Sequence, residues 1–595
     1  MRFILRINKD LSLCVFGVFA LSIFLKCILF HYICFNYIAL SSLWNATKEF
    51  FAFYLAKLFP AFFIASFVFL TKRHKWTIVV SVIIDLYLIA NIIYFRANDL
   101  FLNFETIAMV GNLNGFWSSI TAYFNWKILL FAVLTGLYSF FIIKSSPSTN
   151  RFWLKFGLCH FFVILLIFYD SVLGYGSKKE KVFLSDFNMM QAALLIAKYQ
   201  SPEDNLVRRS WVESATVFHY FPASLLCQVT KSYYSKNDKK NIFFTPTEEY
   251  HLEQLLAKQD SSLQPSTNLI VILVESLESW PLFLKDENET EITPSLNKLS
   301  LQNKTLFCNR IKSQVKYGTS GDGQMIINTG MLPIQSGTAC MLYGENEYPN
   351  FAHWYNGFVI NPAPNTWNQP IVSISYGYQE TLLPKNKNGT ADDAVINEIS
   401  KGQLEKCKKD LFCIQEITAS SHAPFTHVKV TSLEFSHDMP DILQNYLQSI
   451  HYADSCIGDF LDIIECDSLL ENTTIVITGD HTIFKKSMLQ EFLSFSEKYN
   501  YPIPSDESYC PLIIYSPKIK KRVEINDLCY QMDIFPTILH CIGADDYYWK
   551  GFGVNLLDSV ARNNRRITEE EAYILSDKMI RSDWFRHNTN NTHKQ

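Results

Sequence analysis

The chain has 595 residues, of which 48% are hydrophobic, 15% aromatic and 18% charged. That content excludes a disordered chain, and a net charge of −4 leaves no basic excess for nucleic-acid binding. The charge is uneven. Residues 1–176 carry 14 Lys/Arg and 6 Asp/Glu, a net of +8, so the other 419 carry 39 and 51, a net of −12. A basic, apolar front and an acidic back predict a membrane anchor carrying a second domain.

Five apolar runs near 11–33, 50–70, 77–95, 123–143 and 153–173 each approach the ~20 residues that cross a bilayer. The first run is too long for a cleaved signal peptide, and no small-residue cleavage site follows it. Arg2, Arg6 and Lys9, then Lys72, Arg73 and Lys75, then Lys144, Arg151 and Lys155 mark alternate sides as basic. The positive-inside bias puts the N-terminus in the cytoplasm, and five spans put the rest outside. Lys178, Lys179 and Lys181 oppose that orientation. Lys26, Lys57, Asp85, Lys127 and Asp170 lie within spans, where they read either as a pathway or as structural pairs.

Residues 177–265 form a connector, with an amphipathic helix expected over 184–199. Thr245-Pro246-Thr247-Glu248 has the pattern of a helix start, with the helix expected to reach about Lys258. From Asn268 onward, strand-like runs alternate with helical segments, which predicts an α/β domain. The run 269–274 is continuously aliphatic, as in a buried parallel strand, and ends in Glu275. The run 474–477 is followed by Gly479-Asp480-His481, and 412–417 leads into Ser421-His422-Ala423-Pro424-Phe425. Open α/β sheets bind ligands beyond the carboxyl ends of their strands, so these three ends can share one site. Two carboxylates and an imidazole suit Mn²⁺ or Zn²⁺ better than Ca²⁺. Lys316-Tyr317-Gly318-Thr319-Ser320-Gly321-Asp322-Gly323 is glycine-rich but lacks the Gly-Lys-Thr/Ser of a nucleotide loop. Its Thr319 becomes a candidate nucleophile if a cation activates the hydroxyl.

These residues resemble the alkaline-phosphatase/sulfatase superfamily, and within it the lipoteichoic acid synthase and phosphoglycerol transferase branch. The resemblance covers about 270–560 and includes the anchor. It is carried by Val274-Glu275-Ser276, Thr293-Pro294-Ser295, Gly318-Thr319-Ser320, His422-Ala423-Pro424-Phe425, Tyr452-Ala453-Asp454, Gly479-Asp480-His481, Gln531-Met532-Asp533 and Gly553-Val554-Asn555. It implies an N-terminal five-helix transmembrane bundle (1–176) and the connector (177–265). An extracytoplasmic α/β sulfatase-like domain (266–560) follows, with a mixed, mostly parallel sheet flanked by helices, and then a polar tail (561–595).

It further implies Thr319 as nucleophile and metal ligand, with Glu275, Asp480 and His481 completing the site. The metal is one divalent ion, Mn²⁺ first, with Zn²⁺ or Mg²⁺ open. His422 would touch the phosphoryl group or protonate a leaving alkoxide. Trp367 and Asn368 stand where the family presents a Trp-x-Arg element, but Gln369 replaces its Arg and Ile360 its preceding His. No Cys/Ser-x-Pro-x-Arg sulfatase motif is present. The implied activity, at the outer face of a bacterial inner membrane, moves a phospholipid headgroup to a glycan or lipid acceptor. A phosphoethanolamine transferase, a phosphodiesterase and a binding-only relative are the alternatives. Nine cysteines lie beyond residue 300, and Cys407 and Cys413 form a candidate disulfide.

Overall fold

The computed structural model describes residues 2–35, 76–98 and 126–144, several short pieces near them, and most of 244–588. The larger segments outside it are 36–56, 66–75, 103–123, 145–217, 219–243, 257–262, 385–391, 427–432 and 484–493. The chain divides into two compact units, and the larger one contains Asp238–Gln595.

In the first unit, helices α1 (Arg2–Phe35), α2 (Trp76–Asn98) and α3 (Leu129–Lys144) pack around Phe19, Ile23, Leu88, Ile92 and Phe131. Three stretches are long and apolar enough to span a bilayer: Val15–Phe35, Trp76–Arg96 and Trp126–Ile143. They coincide with three of the five expected runs. Most of 50–70, all of 153–173 and the helix expected at 184–199 lie outside the described residues. The described structure therefore supports three spans and not the full five.

The second unit begins with α4 (Pro246–Leu255). Thr245 accepts from the Glu248 amide and Glu248 bonds back to the Thr245 amide, the predicted capping box. The helix stops at Leu255, short of Lys258, because Leu256 turns extended and bridges to Trp549. A nine-stranded sheet follows, in the order β4-β3-β5-β1-β6-β7-β2-β8, with β9 also on β2. Its strands are β1 (Asn268–Val274), β2 (Thr305–Lys312), β3 (Asn356–Ile360), β4 (Glu380–Leu382), β5 (Phe412–Ile417), β6 (Thr473–Gly479), β7 (Cys510–Tyr515), β8 (Val523–Ile525) and β9 (Cys529–Tyr530). Only β7 runs against its neighbours β6 and β2, so the sheet is mixed and mostly parallel.

Helices cover both faces. They are α5 (Pro294–Ser300), α6 (Ser320–Thr329), α7 (Gln369–Ser375), α8 (Asp393–Cys407), α9 (Asp441–Cys466), α10 (Ile534–Ile542) and α11 (Glu569–Ser582). The two-residue alternation of a strand splits β1 between two cores. Leu269, Val271 and Leu273 enter one, and Ile270, Ile272 and Val274 the other. This explains why the strand reads as an unbroken aliphatic run.

Two expectations are corrected here. Residues 569–588, assigned to a polar tail, form α11 and a short helix at Trp584–Asn588. Ala572, Tyr573, Leu575, Met579, Ile580 and Phe585 bury one face in the core. Cys407 and Cys413 are both free and buried, and they belong to opposite cores, so the sheet separates their side chains.

Candidate active site

Register places the first functional groups. Leu273 pairs with Thr478 on β6 and with Ile417 on β5, so three adjacent parallel strands end at one level. Glu275, Asp480 and Thr418 are the next residues on each. The Asp480 amide donates to the Val274 carbonyl, and Asp480 Oδ1 accepts from the amides of Ser276 and His481, both at 2.8 Å. The Asp480 carboxylate is thereby fixed against β1. His481 Nε2 lies 3.4 Å from Glu275 Oε1 and 3.7 Å from Asp480 Oδ2. One ligand atom from each of the three side chains lies within 4.8 Å of the others. His481 Nδ1 faces the Thr482 carbonyl at 3.2 Å, which directs Nε2 toward the carboxylates.

The glycine-rich turn arrives from β2. Thr319 is the residue before α6 and has φ 39° and ψ −110°. For a β-branched residue this is a strained conformation, of a kind costing roughly 1–3 kcal/mol. Asp322 holds the turn closed, with Oδ2 accepting from the Lys316 and Gly318 amides, both at 2.9 Å. A Cβ on Gly323 would collide with the Asp480 carbonyl, so only glycine lets α6 approach β6 so closely. The next residue, Ser320, reaches the cluster itself. Its Oγ donates to Glu275 Oε2 at 3.1 Å and lies 3.4 Å from His481 Nε2.

The electrostatics of the two carboxylates diverge. Burial acts to raise the Glu275 carboxyl. The hydrogen bond and charge of His481, then the charge of His422 and the Ser276 hydroxyl, together hold it well below the usual carboxylate range. Burial, and then the Glu275 charge, push Asp480 up to about 7. Two buried carboxylates side by side cannot both ionise cheaply unless a cation joins them. Asp480 Oδ2 is fully buried and has no hydrogen-bond partner. An unpartnered oxygen facing a second carboxylate and an imidazole fits a divalent cation, and the mixed O/N donor set suits Mn²⁺ or Zn²⁺.

His422 lies on the loop after β5, within electrostatic reach of Glu275, with Nδ1 2.7 Å from the Ala423 carbonyl. Trp367 and Asn368 precede α7, both with positive φ. The Trp367 ring packs against Gly321, and Asn368 Nδ2 donates to the Cys340 carbonyl at 3.1 Å. Trp367 therefore flanks the first turn of α6, two residues beyond Thr319, whereas Asn368 is tied to the Cys340 backbone beside it. Gln369 is buried and donates to Ser373 Oγ at 2.8 Å, so it serves α7 and not a ligand.

Other motif residues hold the frame. Asp454 accepts from the Ser295 and Leu296 amides at 2.9 and 2.8 Å and so caps α5. Asp533 pairs with both terminal nitrogens of Arg565, at 2.6 and 2.7 Å. Sequence reasoning assigned no role to Ser320, Asp322 or Gln531. Gln531 Nε2 donates to the Asp480 carbonyl at 2.7 Å and its Oε1 accepts from the Gln314 amide. Ser320 and Asp322 stand in the glycine-rich stretch around Thr319, and Gln531 in the Gln531-Met532-Asp533 segment; these placements were the signal available.

Residues 325–544 match the Sulfatase family model, and residues 1–199 match the Lipoteichoic acid synthase N-terminal domain model. A lipoteichoic acid synthase from Staphylococcus aureus (strain bovine RF122 / ET3-1) is 24% identical over 515 residues, covering 82% of this chain and 76% of that protein. The solved lipoteichoic acid synthase LtaP from Listeria monocytogenes aligns with TM-score 0.46 and 20% identity, covering 59% of this chain and 97% of that one. The lipooligosaccharide phosphoethanolamine transferase A from Neisseria meningitidis aligns with TM-score 0.51 and 11% identity, covering 89% and 96%, a likeness of fold. With a sulfatase domain of the alkaline phosphatase superfamily joined to a lipoteichoic acid synthase N-terminal domain, the chain is a homologue of the lipoteichoic acid synthases.

Proposed function

We propose that the protein is a membrane-anchored, metal-dependent phosphotransferase. It moves a phosphoglycerol-type headgroup from a membrane phospholipid to a glycan or lipid acceptor through a covalent Thr319 intermediate. The anchor has five spans with the N-terminus cytoplasmic, and residues from about 266 onward form the extracytoplasmic catalytic domain, at the outer face of a bacterial inner membrane. The observation that carries this reading is the meeting of Glu275, Asp480 and His481 at adjacent strand ends, beside a strained threonine at the start of α6.

Glu275, Asp480, His481 and Thr319 would hold a divalent cation, Mn²⁺ first, which would supply Lewis-acid stabilisation of phosphoryl charge. The chain's own groups do the rest. Thr319 Oγ1 forms a bond to phosphorus as the ester bond to diacylglycerol breaks. Thr319 gives its hydroxyl proton to solvent water and His422 delivers one to the departing alkoxide; the acceptor half returns both, His422 taking the acceptor's proton and Thr319 regaining one from water. An acceptor hydroxyl then displaces Thr319 by the reverse sequence, so the net reaction is a transesterification. The amides at the start of α6 present the positive end of the helix dipole to the phosphoryl oxygens. Trp367 and Asn368 line the headgroup side. With Gln369 turned into α7, no arginine is available at that position, which keeps a phosphoethanolamine headgroup as the second reading.

Thr319→Ala tests this. Headgroup transfer should stop while folding persists and Glu275, Asp480 and His481 still bind a divalent ion, more weakly than in the wild type. Undiminished transfer by the variant contradicts the covalent mechanism, and release to water in the presence of acceptor identifies a phosphodiesterase instead.

A further inference from the structure

The loop carrying His422 leaves β5 as Thr418-Ala419-Ser420-Ser421 and is gripped from two sides. On the β1 side, the Glu275 amide donates to Thr418 Oγ1 at 3.0 Å, and Ser421 Oγ donates to the Glu275 carbonyl at 2.5 Å. On the other side stands Asp393, the first residue of α8. Its Oδ1 accepts from the Ala419 amide at 2.7 Å and the Ser420 amide at 3.0 Å. Ser420 Oγ accepts in return from the Asp393 amide at 3.0 Å. The His422 amide then donates to the Ala419 carbonyl at 3.1 Å, closing the turn that presents the imidazole.

Asp393 is not needed by its own helix. The cap of α8 is Asp392, whose carboxylate accepts from the Val395 amide at 3.1 Å. Asp393 is fully buried, and its second oxygen, Oδ2, has no hydrogen-bond partner. A buried carboxyl with one oxygen given wholly to two loop amides carries a desolvation cost that capping cannot explain. Hydrogen bonds to a carboxylate are about twice as strong as neutral ones, so this is the firmest grip on the loop from the side away from β1.

We propose that Asp393 is the positioning residue of the His422 loop, setting the place of the imidazole relative to Glu275. Asp393 touches no reacting atom; it acts through the Ala419 and Ser420 amides. The inference rests on the reading of His422 as the proton donor to the departing alkoxide. A misplacement of about 1 Å in such a group lowers turnover by roughly 10²-fold.

The test uses the full-length protein in detergent and two substrates. One is a phospholipid donor, whose alkoxide must be protonated to leave. The other is a 4-nitrophenyl phosphodiester, whose phenolate leaves without a proton. Asp393→Ala should lower the single-turnover rate of Thr319 modification by the lipid roughly 10²-fold and the first-turnover burst of nitrophenolate less than about threefold. Asp393→Asn keeps Oδ1 as an acceptor and should recover most of the lipid turnover. Ser420→Ala, a milder change that removes only the return bond, should show the same selectivity at smaller amplitude. Equal losses on both substrates, an Asn variant as impaired as Ala, or no loss at all overturns the proposal. If Asp393→Ala does not fold, the Asn and Ser420→Ala variants decide it alone. His422→Ala separates the two levels. Absence of leaving-group selectivity there overturns the proton-donor reading itself, whereas selectivity there without selectivity in the Asp393 and Ser420 variants overturns only the positioning role.

Discussion

Two buried polar clusters, one in each unit, have opposite saturation. In the membrane unit, Lys26 Nζ lies 2.6 Å from Asp85 Oδ1, 2.6 Å from Thr135 Oγ1 and 2.7 Å from Ser81 Oγ. Thr135 in turn donates to Asp85 Oδ2 at 2.5 Å. The charges cancel, the hydroxyls close the ring, and the residues fall near the middle of three apolar helices. In the second unit, Glu275 and Asp480 sit together with one imidazole, and Asp480 Oδ2 is left over. Both clusters are rich in buried ionisable groups. Burial and charge alone therefore do not mark a reactive site. The difference lies in what faces the carboxylate: Asp85 Oδ1 meets an ammonium at 2.6 Å, whereas Asp480 Oδ2 faces a second carboxylate and an imidazole no nearer than 3.7 Å, an arrangement that calls for a cation.

This contrast can be broken by mutation. Asp85→Ala leaves Lys26 uncompensated and should destabilise the membrane unit by about 3–5 kcal/mol, with Lys26→Met/Asp85→Leu recovering most of it. Thermal unfolding in detergent measures both. Asp480→Ala should cost far less stability and instead abolish divalent binding. A similar loss of stability in the two Ala variants would erase the distinction.

His422→Ala should lower turnover by roughly 10²–10⁴-fold with little change in melting temperature, since the effect of the open cluster is on rate. Steady-state kinetics alongside calorimetry checks this. Gln531→Ala removes the donor to the Asp480 carbonyl and should weaken divalent affinity by about 10–100-fold, measured by equilibrium dialysis.

The smallest effect is in pH. Burial pushes the Asp454 carboxyl up to about 6, against the pull of the two α5 amides, from roughly 3.9 in an unfolded chain. The folded chain holds that proton more tightly. Its stabilisation is therefore complete below about pH 4 and is lost as pH rises through about 6. Between pH 6 and 8 only about 0.4 kcal/mol remains to be lost. Urea unfolding of wild type and Asp454→Asn at several pH values should show a steeper decline in the wild type.

The parts legible in the sequence were those with a local signature. The strand end at Glu275 follows an unbroken aliphatic run and that at Asp480 the shorter run Ile475–Ile477, whereas the strand before His422 is equally buried but carries Gln415 and Glu416. The capping box at Thr245 was read correctly, and α11 carries the same one, with Thr568 and Glu571 bonded reciprocally. Its run of Glu569, Glu570 and Glu571 made the segment look like a solvated tail, because the buried face is spaced over Ala572, Leu575 and Met579. Ser320 and Gln531 act through contacts set by tertiary packing, with Gln531 more than 50 residues from Asp480 in sequence, whereas Asp322 closes its own turn on the Lys316 and Gly318 amides. The Cys407–Cys413 pairing failed for a similar reason. Six residues of separation do not reveal that Cys407 ends a helix on one side of the sheet while Cys413 points from β5 to the other.

The central claim is that the open cluster serves covalent chemistry at Thr319. The most direct measurement is mass spectrometry of the peptide containing Thr319, after incubating the protein with Mn²⁺ and phospholipid donor but no acceptor. The expected result is a headgroup phosphate on Thr319 that disappears when acceptor is added. An unmodified peptide during steady turnover, or an adduct on Ser320, would contradict it.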